Sequence, residues 1–315
     1  MAQPSNTFSS YDAVGNREDL SDIIYDISPT ETPFLSKLER VAATSTKHEW
    51  QKDALAAASA TNFVIEGDDA TTDASTATSR VYNYTCISDK VAIVTGTQER
   101  VRSAGRRNEM AYQMTKRMKE LKRDVEAALL ENNAYVAGND TTARECAGAQ
   151  AYIKSNISKA SDATAPTGDG SDGHTDGTAR ALQESFMEAA LALSWTSGGN
   201  PTLGVCNAFQ KRKIAAFSGS SSKTSDGDIK KVVNSVDIYI DPLGNEIRFM
   251  PCRQCPTDVI YMFDTDHVKF SPLRDFDTAE LAKTGDSIRK QILVEYTLEM
   301  CNEAAHAAVY DLTAS

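Results

Sequence analysis

Two short patterns in the second half of the chain contain residue types that bind ligands in other proteins. A GxGxxG pattern spans residues 168–173, and such glycines bind a dinucleotide when a strand precedes them and a helix follows. Here SDATAPT precedes the pattern, and this segment is not typical of a strand. The same stretch holds three aspartates that do not match the twelve-residue calcium loop, because no closing Glu follows at the required place; they are Asp169, Asp172 and Asp176. We therefore predict a solvated loop that binds neither a nucleotide nor a metal ion.

The CxxC pair formed by Cys252 and Cys255 could hold zinc or act in redox chemistry. A zinc site needs two further ligands, and His267 is the only candidate nearby. A redox CxxC needs a helix N-terminus that lowers a thiol pKa, whereas prolines flank this pair after a predicted hairpin. The four histidines lie far apart in sequence, and no GxSxG pattern is present. We predict buried thiols at a strand end, no catalytic residue, no metal, no cofactor, and no enzymatic activity.

Composition and charge narrow the functional classes further. The 315 residues carry a formal net charge of -11, which argues against a protein that grips nucleic acid, since Lys and Arg supply most of that affinity. The start, MAQPSNTFSSYDAVG, has no basic segment followed by an apolar one. No apolar run approaches the roughly 18 residues of a membrane span. We predict a cytoplasmically made protein without a membrane segment, whose six cysteines are free thiols.

Charge is distributed unevenly along the chain. Residues 99–124 contain nine Lys or Arg against four Asp or Glu, whereas residues 54–79 contain four carboxylates and no basic residue. Three interpretations of the basic stretch are open: a solvated helix face with Lys116–Glu120 and Lys122–Glu126 pairs, a DNA-facing patch, or a docking site for an acidic segment of another subunit. The basic candidates are Arg106, Arg107, Arg117, Lys119, Lys122 and Arg123.

The first 45 residues or so lack the apolar periodicity of a core. Ile23 and Ile24 belong to one short apolar face, prolines then interrupt it, and Phe34 and Leu35 begin a second apolar patch. Such a segment cannot form a core alone, and we predict an arm that lies on another molecule.

Residues 54–79, here called the extension loop, consist mostly of small residues with an apolar cluster around Phe63. Strand-like segments flank the loop at 47–53 and 80–101, which predicts an extended hairpin that projects from the body. Its carboxylates are Glu66, Asp68, Asp69 and Asp73.

The spacing of apolar residues predicts one long helix over 105–133, with a stripe that runs from Met110 to Leu129. Further helices are expected at 143–156, at 178–193 with Thr178 as N-cap, and at 208–217. Residues 161–177 are predicted to be a surface loop or mobile flap, and 218–228 a flexible tip. Strands are expected at 201–206, on both sides of the turn at 241–245, in DVIYMFD, and in two C-terminal segments. The fold class is α+β, without a regular βαβ order.

Several stretches resemble a known family: EDLSDIIYDISPTETPFLSKLERV, HEWQKDALAAA, and NYTCISDKVAIVTGTQERV running into AGRRNEMAYQMTKRMKELKRDVEAALL. They are similar to tailed-bacteriophage major capsid proteins with the Hong Kong 97 type fold, most clearly over the first 140 residues or so. The resemblance implies five parts: an N-terminal arm (1–46), an extension loop hairpin (47–88), a peripheral domain with a spine helix (89–139), an axial domain (140–270), and C-terminal strands of the peripheral domain (271–315).

The resemblance implies a structural subunit of a virion capsid. Copies would form hexamers and pentamers of an icosahedral shell, assembled in the bacterial host cytoplasm, that encloses double-stranded DNA without sequence-specific binding. Portal, scaffolding and decoration proteins would be further partners. It also favours docking of the acidic extension loop on the basic helix of a neighbour. The alternatives are a nucleic-acid-binding virion component and a nucleotide-binding enzyme.

The subunit-interface residues expected from this reasoning are Ile23, Ile24, Phe34, Leu35, Phe63, Glu66, Asp68, Asp69, Asp73, Arg106, Arg107, Arg117, Lys119, Lys122 and Arg123.

Overall fold

The computed structural model describes residues 30–70, 75–101, 108–217 and 238–314. Its helices are α1 Pro33–Lys37, α2 Gly96–Arg100, α3 Glu109–Leu130, α4 Glu184–Thr196 and α5 Ala208–Ile214. Its strands are β1 Glu39–Arg40, β2 Lys47–Lys52, β3 Ser79–Tyr84, β4 Cys86–Thr95, β5 Ile157–Ser158, β6 Leu203–Cys206, β7 Ile238–Ile240, β8 Glu246–Pro251, β9 Ile260–Phe263, β10 Val268–Glu280, β11 Ser287–Met300 and β12 Ala307–Val309. The predictions for Ile23, Ile24, Asp73, Arg106, Arg107 and the tip at 218–228 lie outside the described residues.

Helix α3 is the longest helix among the described residues, and its 22 residues span about 33 Å. The side chain of Asn108 caps its start by accepting a hydrogen bond from the Ala111 N–H. Leu121, Val125 and Leu129 are fully buried along one face. The predicted stripe is confirmed, but the helix ends at Leu130, because Glu131 adopts an extended conformation. No helix in the described part of the chain is long and apolar enough to cross a membrane.

The first sheet has four strands in the order β1-β10-β11-β4. The long strands β10 and β11 pair in antiparallel register, and β4 pairs antiparallel with the other side of β11. Helix α3 packs on one face of this sheet, where Ala92 and Val94 of β4 contact Met110. The sequence analysis missed β10, because register shifts around Arg274 interrupt the alternation by which a strand is recognised.

The second sheet has six strands in the order β5-β12-β9-β6-β8-β7. Its core contains buried residues of α4 and α5, including Met187, Leu191 and Ile214. Strand β12 pairs with β9 and β5, so the chain crosses back into this sheet after β11. Residues 307–309, within the predicted C-terminal part at 271–315, therefore lie in the second sheet, where their three side chains are fully buried.

Two helix predictions are wrong, and in both cases side chains distant in sequence bind the backbone. Residues 143–156 contain only one 3-10 turn, Ala149–Ala151. Nearby, the Asn83 side chain exchanges hydrogen bonds with the N–H and carbonyl of Ala147. Thr178 is not an N-cap, because its N–H and hydroxyl donate to Asp162, and α4 starts only at Glu184.

Phe34 and Leu35 lie in the chain's own core, with 0% and 6% of their surfaces exposed. Their N–H groups donate to the Glu126 carboxylate at 2.9 and 2.8 Å, and the Phe34 ring lies 4.7 Å from that of Phe263. The prediction that these two residues contact another subunit is wrong. Burial raises the pKa of Glu126 despite these hydrogen bonds.

The bonds to Glu126 also contradict the predicted Lys122–Glu126 surface pair, since Glu126 is fully buried. The predicted Lys116–Glu120 pair is wrong as well, because Glu120 accepts from Arg117 at 2.6 Å instead.

Candidate assembly surfaces

The extension loop is exposed to solvent along its whole described length. Strands β2 and β3 pair from Lys47↔Tyr84 to Lys52↔Ser79, and the loop leaves at the far end of this ribbon. Every described residue of the loop is exposed, including Leu55 at 99% and Phe63 at 85%. Val64 and Ile65 extend the apolar cluster at 83% and 78% exposure. A group of large apolar side chains this exposed indicates a contact surface for another molecule.

The base of the loop is fixed, in contrast to the loop itself. Asn83 of β3 is fully buried and donates to the carbonyls of Ala147 and Leu298 at 3.2 and 2.9 Å. His48 of β2 bonds to the Glu299 carboxylate at 2.9 Å. Burial raises the pKa of Glu299, but hydrogen bonds with His48 and other neighbours outweigh that effect and hold the pKa below its ordinary value. A rigid base therefore presents an exposed loop.

The exposed side of α3 carries three lysines at three-residue spacing, here called the lysine stripe: Lys116, Lys119 and Lys122. Within the described residues none of the three forms an ion pair, and the Lys122 ammonium lies 5.8 Å from the centre of the Phe276 ring. Two other predicted basic residues are less available, since Arg117 pairs with Glu120 and Arg123 is half-buried. The structure thus leaves a positive surface at the stripe.

The outer face of β4 is a surface that the sequence analysis missed. Ile87, Val91 and Ile93 are 50%, 36% and 57% exposed, whereas Ala92 and Val94 are buried on the α3 side. The signal was present in the sequence, because β4 carries apolar residues on both faces. The described part of the chain leaves one of these faces exposed. It is a second apolar surface available for contact.

The motifs that could have been chemical sites have structural roles in the fold. Residues 168–173 follow a loop rather than a strand, as predicted. Cys252 and Cys255 are 1% and 3% exposed just after β8, also as predicted, and burial raises the pKa of Cys252 to about 12.

The sequence analysis did not find the cluster of His174, Asp176 and Asp311. His174 Nε2 lies 3.1 Å from the Asp311 carboxylate and 4.0 Å from that of Asp176. Asp311 also accepts hydrogen bonds from the N–H groups of Ala160 and Gly177, both at 2.8 Å. The Asp311 carboxylate is thus hydrogen-bonded by groups of this chain. These bonds attach residues 161–177 to the end of the second sheet.

Comparison with known proteins agrees with this geometry of a fixed body and a projecting loop. The model of the SU10 major capsid protein family matches residues 3–313. The chain belongs to the SU10 major capsid protein family. A major capsid protein of Escherichia phage Phieco32 is 28% identical over an alignment 345 residues long. The alignment covers 98% of this chain and 98% of that protein.

Several solved structures with a similar fold come from phages. The capsid of cyanophage A-1(L) matches with a TM-score of 0.69 at 12% identity, over 95% of this chain and 97% of that one. A structure from Gordonia phage Cozz matches with a TM-score of 0.62 at 12% identity, over 99% and 98% of the two chains. A structure of phage G major capsid and decoration proteins matches with a TM-score of 0.54 at 10% identity, over 99% and 100%.

These matches confirm the predicted α+β Hong Kong 97 type fold and the function as a tailed-phage major capsid protein. The family is one of structural shell proteins located in the virion capsid.

Proposed function

We propose that this capsid subunit forms the hexamers and pentamers of an icosahedral shell around double-stranded DNA, and that its extension loop holds the neighbouring subunit. The observation that carries the proposal is the exposure of the loop's large apolar side chains, 78% to 99% for Leu55, Phe63, Val64 and Ile65. Leaving this surface in water is unfavourable by about 25 cal/mol per Å². A neighbour that covers it gains that free energy, and a closed shell sums many such contacts.

The carboxylates of the loop indicate which surface of the neighbouring subunit the loop contacts. Glu66, Asp68 and Asp69 are exposed and form no ion pair within the described residues. The lysine stripe on α3 is likewise exposed and unpaired in the described part of the chain. Opposite charges that lack a partner among the described residues of one copy favour an arrangement in which the loop of one subunit crosses α3 of the next.

We assign the two sheets to the two body domains of the capsid fold. The four-stranded sheet with α3 forms the peripheral domain, and the six-stranded sheet with α4 and α5 forms the axial domain around the capsomer axis. The overall acidity, -11 per chain, suits a container, since a negative shell does not adhere to the phosphates that it encloses. Assembly takes place in the host cytoplasm, with scaffolding and portal proteins during assembly and decoration proteins on the finished shell.

A charge swap tests the contact. One variant reverses the loop (Glu66→Lys, Asp68→Lys, Asp69→Lys), a second reverses the stripe (Lys116→Glu, Lys119→Glu, Lys122→Glu), and a third combines both. We expect each single reversal to lower the yield of particles in electron micrographs at least about tenfold, and the combined variant to recover it. A Glu131→Lys, Asp140→Lys control raises the net charge, as the loop reversal does, at exposed sites outside both surfaces.

Two outcomes would contradict the loop–stripe contact. Normal assembly of both single reversals would show that neither surface matters. Normal assembly of the stripe reversal with a lower DNA content per particle would assign the stripe to the packaged genome instead. Monomers under every assembly condition, for the unchanged protein, would overturn the shell itself.

A further inference from the structure

Two of the buried cysteines lie in contact although they are 60 positions apart in the sequence. Cys86 is the first residue of β4, directly after the ribbon that carries the extension loop, and Cys146 lies in the segment that follows α3. Their Sγ atoms are 3.2 Å apart. Three other thiols hydrogen-bond to oxygen atoms: Cys252 Sγ lies 3.3 Å from the Glu126 carboxylate, Cys255 Sγ lies 4.0 Å from the Val205 carbonyl, and Cys301 Sγ lies 3.4 Å from the Glu299 carboxylate.

The backbone on both sides of this pair is held in place by hydrogen bonds. The Ala147 N–H donates to Asn83 Oδ1 at 2.9 Å, and Arg144 Nε donates to the Thr85 carbonyl at 3.2 Å. The Arg144 guanidinium also pairs with Glu295 of β11 at 2.6 Å. Hydrogen bonds therefore join the segment before Cys86 to the segment around Cys146, the same two segments whose sulfur atoms are in contact.

In this geometry the two sulfur atoms are little farther apart than in a disulfide bond. An S–S bond is about 2.05 Å long, so the two sulfur atoms need to approach by little more than 1 Å, which rotation of the two side chains can supply. The flanking hydrogen bonds hold the backbone on both sides of the pair in place, so the approach has to come from the two side chains.

We propose that Cys86 and Cys146 are an oxidisable pair that closes to a disulfide when the particle passes from the reducing host cytoplasm to oxidising surroundings. The link joins the base of the extension loop to the segment after α3 and closes a loop of chain that includes β4, α2 and α3. It fixes the position from which the loop projects, after the subunit has already folded and found its neighbours.

The oxidant is a small-molecule disulfide such as oxidised glutathione. The Cys86 thiolate attacks one sulfur of the reagent and expels one thiolate, and the Cys146 thiolate then attacks the Cys86 sulfur and expels the second. The reagent gains two electrons, and the two cysteine protons go to its two thiolates. Cys86 is the more accessible partner, with 9% of its surface exposed against 2% for Cys146.

The thiol acidities agree with this order of attack. The hydrogen bond between the two thiols lowers the pKa of Cys86. The shared proton and burial raise the pKa of Cys146. The more exposed of the two thiols, Cys86, is therefore the one that meets the reagent first.

Peptide mapping of the isolated subunit tests the proposal independently of assembly. The protein is incubated with oxidised glutathione, alkylated in denaturant and digested with trypsin, which releases Cys86 in residues 81–90 and Cys146 in residues 145–154. We expect these peptides to appear as a linked pair that lacks two hydrogens, and to separate on reduction. The oxidised subunit should melt roughly 5 °C higher than the reduced one.

Three variants serve as controls. Cys86→Ser and Cys146→Ser should each remove the linked peptide and the rise in melting temperature. Cys206→Ser changes an equally buried thiol and should leave both unchanged. Full alkylation of both cysteines after oxidation of the unchanged protein, or a link to any other cysteine, would overturn the proposal. Since the map uses the unchanged subunit, neither poor folding of a variant nor failure of shell assembly can mimic that result.

Discussion

The extension loop and residues 161–177, here called the fastened loop, are similar in composition and different in structure. Both are long, rich in small residues, and more acidic than basic. The described residues of the extension loop are exposed throughout. Where the loop meets the ribbon, the Thr78 hydroxyl donates to Gln51 Oε1 at 2.9 Å and the Ser79 hydroxyl to the Lys52 carbonyl at 3.4 Å. Beyond that point the hydrogen bonds among its described residues join near neighbours, such as Asp68 N–H to the Ile65 carbonyl at 3.1 Å. The fastened loop is pinned across its width by a backbone pair between Thr164 and Thr175.

The two loops differ in exposure because of hydrogen bonds to distant residues, not because of the amount of apolar surface that they bury. The Asp311 carboxylate, at the end of the chain, bonds His174 of the fastened loop, and the Tyr135 N–H donates to the Gly170 carbonyl at 2.9 Å. Asn132 also bonds both backbone groups of His174. The extension loop has no such anchors among its described residues. A loop that hydrogen-bonds to distant residues of its own chain is held within the subunit. A loop without such bonds is free to bind a neighbouring subunit.

The largest expected effect comes from removing the apolar cluster of the extension loop. Phe63→Ser, Val64→Ser and Ile65→Ser together should abolish particles, because the neighbour loses the surface that it covers. The melting temperature of the isolated subunit should not change, since these side chains are 78% to 85% exposed. Electron microscopy and thermal unfolding measure the two quantities.

The control for this prediction is Ala58→Ser with Ala60→Ser, which alters exposed positions of the same loop and should leave assembly intact. Normal particles from the triple variant would contradict the role assigned to the cluster.

The next largest effect is expected for the anchor of the fastened loop. Asp311→Asn replaces a carboxylate that accepts from three donors by an amide with a single acceptor oxygen. Loss of these charge-assisted bonds should lower the free energy of unfolding by about 3 kcal/mol, measured by urea denaturation. Asn tolerates the backbone of Asp311, whose φ is +58°, so strain does not explain a loss. The control Asp68→Asn in the extension loop should have no effect on stability.

A matched pair of glycines sharpens the comparison between the loops. Gly67 in the extension loop and Gly170 in the fastened loop both have positive φ, at +84° and +83°. A methyl group on Gly170 would lie 2.7 Å from the Tyr152 ring, whereas one on Gly67 would meet nothing within 4 Å. Gly170→Ala should therefore cost about 2 kcal/mol of unfolding free energy from clash and strain.

Gly67→Ala should cost less than about 0.5 kcal/mol, because the exposed loop can relax its backbone without disturbing the body. Equal losses in the two variants, read from urea midpoints, would show that the extension loop is held by its own chain after all.

Local patterns predicted the parts of the fold whose partners are near in sequence. The α3 stripe, the β2–β3 ribbon and the β7–β8 hairpin follow from apolar periodicity and turn residues. The extension loop was expected for the same reason: a long excursion with one small apolar cluster cannot form a core. Its proposed contacts on a neighbour are as yet untested.

Distant anchors could not be predicted in this way. The burial of Phe34 depends on Glu126, 92 positions later, and the fastened loop depends on Asp311, 137 positions after His174. No local pattern marks these carboxylates as acceptors for a particular backbone. The expectation of a surface loop or mobile flap at 161–177 gave the loop but not its anchors, since composition does not show which residues hold a loop in place.

The smallest expected effect is the pH dependence of the Asp311 anchor. Burial raises the pKa of Asp311, but hydrogen bonds from Gly177, Ala160 and His174 outweigh it and hold the pKa below its ordinary value of 3.8. The unfolded chain therefore binds the proton more readily than the folded chain. The stability that Asp311 contributes is fully present above about pH 5 and is lost as the pH falls through 3.8 and below. The difference in unfolding free energy between the unchanged protein and Asp311→Asn should shrink over that range.

The nearby Asp258 supplies a control of opposite sign. Burial raises its pKa above 3.8, so the folded state favours the protonated form, and its contribution to stability falls as the pH rises. Asp258→Asn should therefore be more stable than the unchanged protein near pH 7 and lose that advantage on acidification. Urea unfolding of the isolated subunits between pH 3 and 7 measures both variants. A difference for Asp311→Asn that stays constant, or grows on acidification, would show that its carboxylate does not anchor the fastened loop as an anion.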